Sequence, residues 1–109
     1  MSGLQKGLLI PNSGDTEVKE RLKNYLKKDK TGLRKATLNL FLSGGSFTTH
    51  EIFSHLESEY EVNYRGISAM VGSMNTKLGI LSVDVSKKHN IYLLKDCHKE
   101  QLKSVLENY

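Results

Sequence analysis

The chain has 109 residues, of which 38% are hydrophobic and 26% charged, with one proline, one cysteine and no tryptophan. This length and composition are typical of one compact domain and exclude a chain that is disordered throughout. A single cysteine cannot form an internal disulfide, which excludes a disulfide-stapled secreted scaffold. No apolar run approaches the ~18–20 residues that a membrane helix needs, and no signal-peptide pattern is present. We therefore expect a cytoplasmic protein without membrane contact.

The charge is unevenly distributed along the chain, although the total is only +4. Residues 19–35 (Lys19–Lys35) hold eight basic and two acidic side chains, a net charge of +6. Residues 46–63 hold four glutamates and no lysine or arginine. The basic block has three open interpretations: it neutralises phosphates, it binds an acidic protein partner, or it is a solvated helix face.

The N-terminal part predicts an arm followed by an amphipathic helix. Residues 1–14 contain three glycines and Pro11 without periodicity, which indicates a flexible arm. Asp15 or Thr16 is a suitable helix cap, because its side-chain oxygen can accept a free backbone N–H. The apolar residues that follow share one helical face. They are Val18, Leu22, Tyr25 and Leu26.

Two further helices flank a short strand. Spacing of apolar residues predicts the second helix over Leu33–Leu42, ended by Gly44-Gly45. Ser46-Phe47 is a candidate strand. Thr48 stands three residues before Glu51, the spacing of a capping box, and predicts a third helix over about His50–Tyr60.

The C-terminal half predicts a helix, a hairpin and a last helix. Asn63 is a good cap for a fourth helix, and Gly79 ends it. Short apolar runs at Ile80–Val85 and Ile91–Leu94 then predict a β-hairpin with a basic tip. The last helix, about Cys97–Glu107, has an apolar stripe of Leu102, Val105 and Leu106, with Tyr109 one step beyond.

Two helices joined by a few residues and followed at once by a hairpin match a winged helix-turn-helix. The stretch that ends in LGIL at Leu81, SFTTHEIFSHLESEYEVNYRGISAMVGSMNTKLGIL, resembles this pattern. It is similar to the DNA-binding half of ferric-uptake-type regulators, and the whole chain resembles a small uncharacterised family of archaeal winged-helix proteins. The expected fold class is therefore α+β and mainly α, with extra terminal helices and a hairpin wing. We expect one domain over residues 15–109 with its core at 33–95.

The resemblance implies a double-stranded DNA-binding protein, a transcriptional regulator. Carried onto this chain, residues 64–77 form the recognition helix for the major groove, and residues 86–90 form the wing. Helical geometry places Arg65, Gly72 and Thr76 opposite the apolar face of that helix. Arg65 suits a guanine edge or a phosphate, and Gly72 allows close approach of the backbone. The full expected contact set is Tyr64, Arg65, Ser68, Gly72, Ser73, Thr76, Lys77, Lys87, Lys88 and His89.

The same residues leave a second function open. A helix face of glycine, alanine and serine with one strong cation also suits packing against another protein, without DNA binding. The acidic segment before the recognition helix counts against DNA, because its glutamates would repel nearby phosphates. We also expect a homodimer through the terminal helices, because a domain this small has little core for both of their apolar stripes.

Catalysis and metal binding are not expected. His50 and His55 are five residues apart, so about 500° of helical rotation leaves them ~140° out of register for a shared metal. One cysteine, Cys97, with scattered histidines is a poor zinc site. Phosphate-cradling glycine loops and nucleophile elbows are missing from the sequence. We expect no enzyme activity and no cofactor.

Overall fold

The computed structural model describes the backbone of residues 9–108 and the side chains of residues 17–108. Its five helices are α1 (Leu9–Lys27), α2 (Leu33–Leu42), α3 (Thr49–Leu56), α4 (Tyr64–Leu78) and α5 (Lys99–Glu107). Its three strands are β1 (Ser46–Thr48), β2 (Leu81–Asp84) and β3 (Ile91–Leu94), and a 3-10 turn over Asp96–His98 leads into α5. The prediction of a mainly helical α+β fold is confirmed.

The first helix begins earlier than predicted. It starts at Leu9, so residues 9–14 of the expected arm are helical, and the expected cap at Asp15 or Thr16 is wrong. Pro11 lies in the first turn, where its missing N–H would have no intrahelical partner and its fixed φ suits the helix. The rest of the expected arm, residues 1–8, lies outside the described part of the chain.

The second helix has the predicted bounds, and the third has the predicted start signal. Gly44 and Gly45 after α2 adopt φ values of 98° and 93°. The capping box of α3 is confirmed: the Glu51 amide donates to the Thr48 hydroxyl at 3.1 Å, and the Thr48 amide donates to the Glu51 carboxylate at 2.8 Å. α3 ends at Leu56 rather than at Tyr60. Acidic side chains just beyond Leu56 oppose the negative end of the helix dipole and favour the earlier end.

The fourth helix has both predicted caps. The Asn63 side chain accepts from the Gly66 amide at 2.7 Å, and Gly79 ends the helix with φ 67°. These two caps fix the start and the end of α4, the longest fully described helix. They also turn the chain directly into β2, so the hairpin packs next to α4.

The three strands form one antiparallel sheet in the order β1-β3-β2. Phe47 pairs with Tyr92 and Thr48 pairs with Ile91, while β2 and β3 pair from Leu81–Leu94 to Asp84–Ile91. The predicted hairpin is confirmed. Its first strand, Leu81–Asp84, is one residue shorter at each end than the predicted run Ile80–Val85. Since Thr48 also caps α3, the sheet fixes the hairpin beside the start of that helix.

The core is built from the apolar stripes of all five helices and from residues of β2 and β3. α1 and α5 pack against each other, and each buries its predicted stripe. The described members of the two stripes are Val18, Leu22, Tyr25, Leu26, Leu102, Val105 and Leu106; Tyr109 lies outside the described residues. The described residues of both stripes are therefore buried within one chain. The homodimer stays a prediction, but an unburied stripe no longer supports it.

Within the described residues, no helix is both long and apolar enough to pass through a lipid bilayer. The single cysteine, Cys97, is exposed at the 3-10 turn before α5.

The Thr48 cap gives a test of this fold. We expect Thr48→Ala to lower the free energy of unfolding by about 1 kcal/mol, because the Glu51 amide loses its partner. Urea denaturation measures the change. Ser54→Ala, on the exposed face of α3, is the control and should change stability by less than about 0.5 kcal/mol. Equal effects of the two substitutions would contradict a stabilising cap.

Candidate nucleic-acid interface

One side of α4 is buried and fixes where its other sides point. Ile67, Val71, Met74 and Leu78 lie in the core. The opposite side forms an outward ridge, which helical geometry assigns to Arg65, Ala69, Gly72 and Thr76. Arg65 and Thr76 are exposed, and Gly72 is half-buried. A concave surface lies on each flank of this ridge.

The first flank is a groove between α4 and the hairpin, which we call the hairpin groove. It has a volume of about 500 Å³. Four of the residues predicted to contact DNA meet here: Tyr64 and Ser68 from α4, and Lys88 and His89 from the hairpin tip. The remaining lining residues are Thr48, Thr49, His50, Asn90 and Tyr92. The groove therefore joins the predicted recognition helix and the predicted wing in one surface.

Aromatic rings form one wall of the hairpin groove. Tyr64 is 47% exposed at the start of α4. Its ring centroid lies 6.3 Å from that of His50 and 6.3 Å from that of Phe53. His50 was not among the residues predicted to contact DNA. It lies in the first turn of α3, and the structure places this turn beside the start of α4.

The hairpin tip carries its cations around a hydrogen-bonded turn. The Ser86 hydroxyl and the Ser86 amide donate to Asp84 at 2.6 Å and 2.9 Å. These two hydrogen bonds lower the pKa of the Asp84 carboxyl below its ordinary value, so it is ionised at neutral pH. Lys88 lines the groove, whereas Lys87 is exposed at the tip and does not.

The second flank of α4 is a smaller concavity against α1 and α2, which we call the basic pocket. It has a volume of about 210 Å³. Ser73 and Lys77 of the predicted contact set line it from α4. Its other lining residues are Arg21, Asn24, Tyr25, Lys28, Arg34 and Leu78. The structure therefore places part of the 19–35 basic block beside the predicted recognition helix, a question that the sequence left open.

Both arginines of the basic pocket are held by main-chain carbonyls. Arg21 donates from Nη2 to the Leu78 carbonyl at 3.4 Å, at the C-terminal end of α4. Arg34 donates from Nη1 to the Tyr25 carbonyl at 2.9 Å, and its guanidinium carbon lies 4.3 Å from the centroid of the Tyr25 ring. Burial raises the pKa of Tyr25, against a smaller opposite effect of Arg34, so the phenol is neutral at neutral pH and does not offset the cations.

No carboxylate lines the hairpin groove or the basic pocket within the described residues. The concern that the acidic segment lies against the contact face is therefore not supported for Glu59. This residue lines a separate concavity between α2 and α3, together with Asn39 and His55. Glu59 therefore lies on a different surface from the cations of the hairpin groove and the basic pocket.

The ridge between the two flanks carries Arg65 and Thr76 of the predicted contact set. In the free protein the Thr76 hydroxyl lies within 3.2 Å of the Gly72 and Ser73 carbonyls, to which it donates. Arg65 is exposed and has no ion pair among the residues that the structure describes. Arg65 is therefore the strong cation of the ridge.

His50 and His55 contact different neighbours. The His50 ring lies against Phe53 and Tyr64, and the His55 ring lies 5.8 Å from that of Phe47. In the described part of the chain, no three histidine, cysteine or acidic side chains are grouped so that they could hold a metal ion.

Comparison with known proteins adds a family. Residues 22–102 match the family described as "Protein of unknown function (DUF2551)". The chain belongs to this family. It is also 40% identical to an uncharacterised protein of Archaeoglobus fulgidus over 94 residues, which cover 85% of this chain and 96% of that protein. The expected similarity to an uncharacterised archaeal protein is thereby confirmed, but neither match names a winged helix. No solved structure matches the chain.

Gly72 on the ridge has no steric reason to be glycine in the free protein. A Cβ atom built there meets no atom within 4 Å, and its backbone is helical. We expect Gly72→Ala to raise the free energy of unfolding by about 0.5–1 kcal/mol, because alanine loses less conformational entropy in a helix.

Gly79 supplies the matched control for this substitution. Its φ of 67° disfavours a side chain, so Gly79→Ala should lower stability by about 1 kcal/mol. Thermal and urea denaturation of both variants measure the two signs. A decrease in stability for Gly72→Ala would contradict the open, helical surroundings of this residue.

Proposed function

We propose that this protein is a winged helix-turn-helix protein that binds double-stranded DNA and regulates transcription. In this proposal, α4 enters the major groove and the hairpin of β2 and β3 contacts the backbone as the wing. The observation that carries the proposal is the charge around α4. Its outward ridge is flanked on both sides by concave surfaces that hold cations and, within the described residues, no carboxylate.

The arrangement of elements supports the winged-helix assignment. Seven residues, 57–63, join α3 to α4, and α4 leads through Gly79 into the hairpin. β1, just before α3, closes the sheet on the outer side of β3. This places the hairpin tip and the exposed face of α4 on one side of the domain, as the hairpin groove requires.

The proposed contacts follow from side-chain chemistry. Arg65, near the start of α4, suits the O6 and N7 acceptors of guanine or a phosphate. Lys88 and His89 on the hairpin suit the phosphates of the DNA strand that lies beside the hairpin. Tyr64 offers an exposed ring and a hydroxyl to sugar and phosphate, and Gly72 keeps the ridge low enough for close approach.

A specific feature favours a second candidate, a protein-interaction module without DNA binding. The ridge contains Ala69 and Gly72, small residues that allow close packing of a partner helix. Charge distinguishes DNA binding from helix packing on the ridge, because such packing does not need cations on both flanks. An acidic partner at Lys19–Lys35 is a separate form of the protein-interaction candidate, and it is distinguished by the absence of DNA binding.

Binding of a random-sequence duplex, followed by fluorescence anisotropy, tests the DNA proposal. We expect micromolar affinity that weakens by at least about tenfold between about 50 mM and about 200 mM salt, because cations on the protein release counterions from the phosphates. Arg65→Glu and Lys88→Glu should each weaken binding at low salt by about tenfold or more.

Lys103→Glu is the matched control for these variants. It makes the same change of charge on an exposed position of α5, which packs against α1 and α2. Its affinity should stay within about threefold of wild type. Absence of wild-type binding at low salt would overturn the DNA proposal for this chain and favour the protein-interaction module. Equal losses in all three variants would show binding by net charge alone.

A further inference from the structure

The basic pocket has a composition that the recognition helix alone does not explain. Four cationic side chains converge on it: Arg21 from α1, Lys28 from the turn just after α1, Arg34 from the start of α2, and Lys77 from α4. The described residues place no carboxylate in its lining. Bringing cations together raises electrostatic energy, so this arrangement favours an anion between them.

Two of the four cations are held in place and two are free to reach a ligand. Arg21 and Arg34 are oriented by the Leu78 and Tyr25 carbonyls, and each guanidinium keeps further N–H donors. Arg21 also forms an exposed ion pair with Glu17 of α1 at 3.5 Å, outside the pocket lining. Lys28 and Lys77 make no ion pair or side-chain hydrogen bond within the described residues. Oriented guanidinium groups beside flexible ammonium groups suit the oxygens of a phosphate.

The position of the pocket favours a phosphate of a nucleic-acid backbone over a free anion. Ser73 and Lys77 belong to α4 itself, one helical turn apart, and lie directly beside the outward ridge. A strand that follows the ridge would pass over the pocket, on the side away from the hairpin groove. The pocket is also one part of a block with a net charge of +6, which suits a polyanion better than a single small anion.

We infer that the basic pocket binds a backbone phosphate of the DNA strand opposite the hairpin, so that α4 is held from both sides. This inference rests on the proposed function. The family-matched region, residues 22–102, includes Lys28, Arg34 and Lys77, whereas Arg21 lies just before it. The wing and the basic pocket would then contact the two strands that border one major groove.

The salt dependence of DNA binding tests the pocket separately from the interface as a whole. Kd for a random-sequence duplex is measured by anisotropy over a salt series, for wild type and for Lys28→Gln/Lys77→Gln. We expect the double variant to bind roughly tenfold more weakly at low salt, with a log–log salt slope smaller by about 1 for each lost phosphate contact. Because the substitutions remove repulsion among the clustered cations, they should not lower the melting temperature, and circular dichroism checks this.

The matched control is Lys19→Gln/Lys103→Gln, which removes the same charge elsewhere. Lys19 lies on the opposite flank of the buried stripe of α1, and Lys103 is exposed on α5. This control should keep the wild-type salt slope. If wild type binds DNA and both double variants keep its slope and affinity, the pocket inference is wrong while the proposed function stands.

Pyrophosphate binding distinguishes a small phosphorylated ligand from a phosphate of the DNA backbone. Inorganic pyrophosphate is added to wild type and to Lys28→Gln/Lys77→Gln, and the melting temperature is measured. If wild type binds no DNA at low salt, the proposed function and this inference both fail. A pyrophosphate stabilisation that then disappears in the double variant would assign the pocket to a small phosphorylated ligand. If wild type does bind DNA, pyrophosphate should displace the duplex from the double variant less effectively than from wild type.

Discussion

The burial of one stripe of α4 is the constraint on which the rest of the molecule depends. Ile67, Val71, Met74 and Leu78 point into the core, so the rotation of the helix about its own axis is fixed. The two flanks of the stripe must then face the neighbouring elements. One flank faces the hairpin and the other faces α1 and α2, which leaves a narrow outward ridge between two concave surfaces.

Contacts with residues distant in sequence place a cation at one end of α4 and aromatic rings at the other. At its C-terminal end, Arg21 of α1 donates to the Leu78 carbonyl, which places a cation at the negative end of the helix dipole. At its N-terminal end, Tyr64 packs near His50 and Phe53 of α3. The acidic side chain of Glu59 lies on another surface, between α2 and α3. An approaching polyanion would therefore meet cations beside α4, which is why the charge pattern supports the proposed function.

Local signals predicted most of the fold. The bounds of α2, the Thr48–Glu51 capping box and the Asn63 and Gly79 caps of α4 each depend on a few neighbouring residues, and all are confirmed. The two wrong helix ends have weaker signals. The start of α1 depends on whether Pro11 lies in the first turn or before it, and the end of α3 depends on a polar segment without a breaker.

The candidate site was harder to predict because it depends on packing between distant segments. Ser73 and Lys77 were expected on α4, but 45 to 56 residues separate them from Arg21 and Lys28, which help to complete the basic pocket. A usable signal existed in α1 and the turn just after it, where Arg21, Asn24 and Lys28 lie three and four residues apart on one flank of the apolar stripe. Only the pairing of α1 with α4 shows which partner that flank faces.

Thr48 has a consequence for how this surface would respond to any ligand. The residue belongs to β1, pairs with Ile91 of β3, and also caps α3. The wall of the hairpin groove formed by β1, β3 and the start of α3 therefore cannot move without breaking a sheet ladder or a helix cap. This wall is ordered before binding, so association costs little conformational entropy there. Adaptation to a particular ligand falls instead on residues 85–90, which lie outside the strand pairing, and on long lysine side chains.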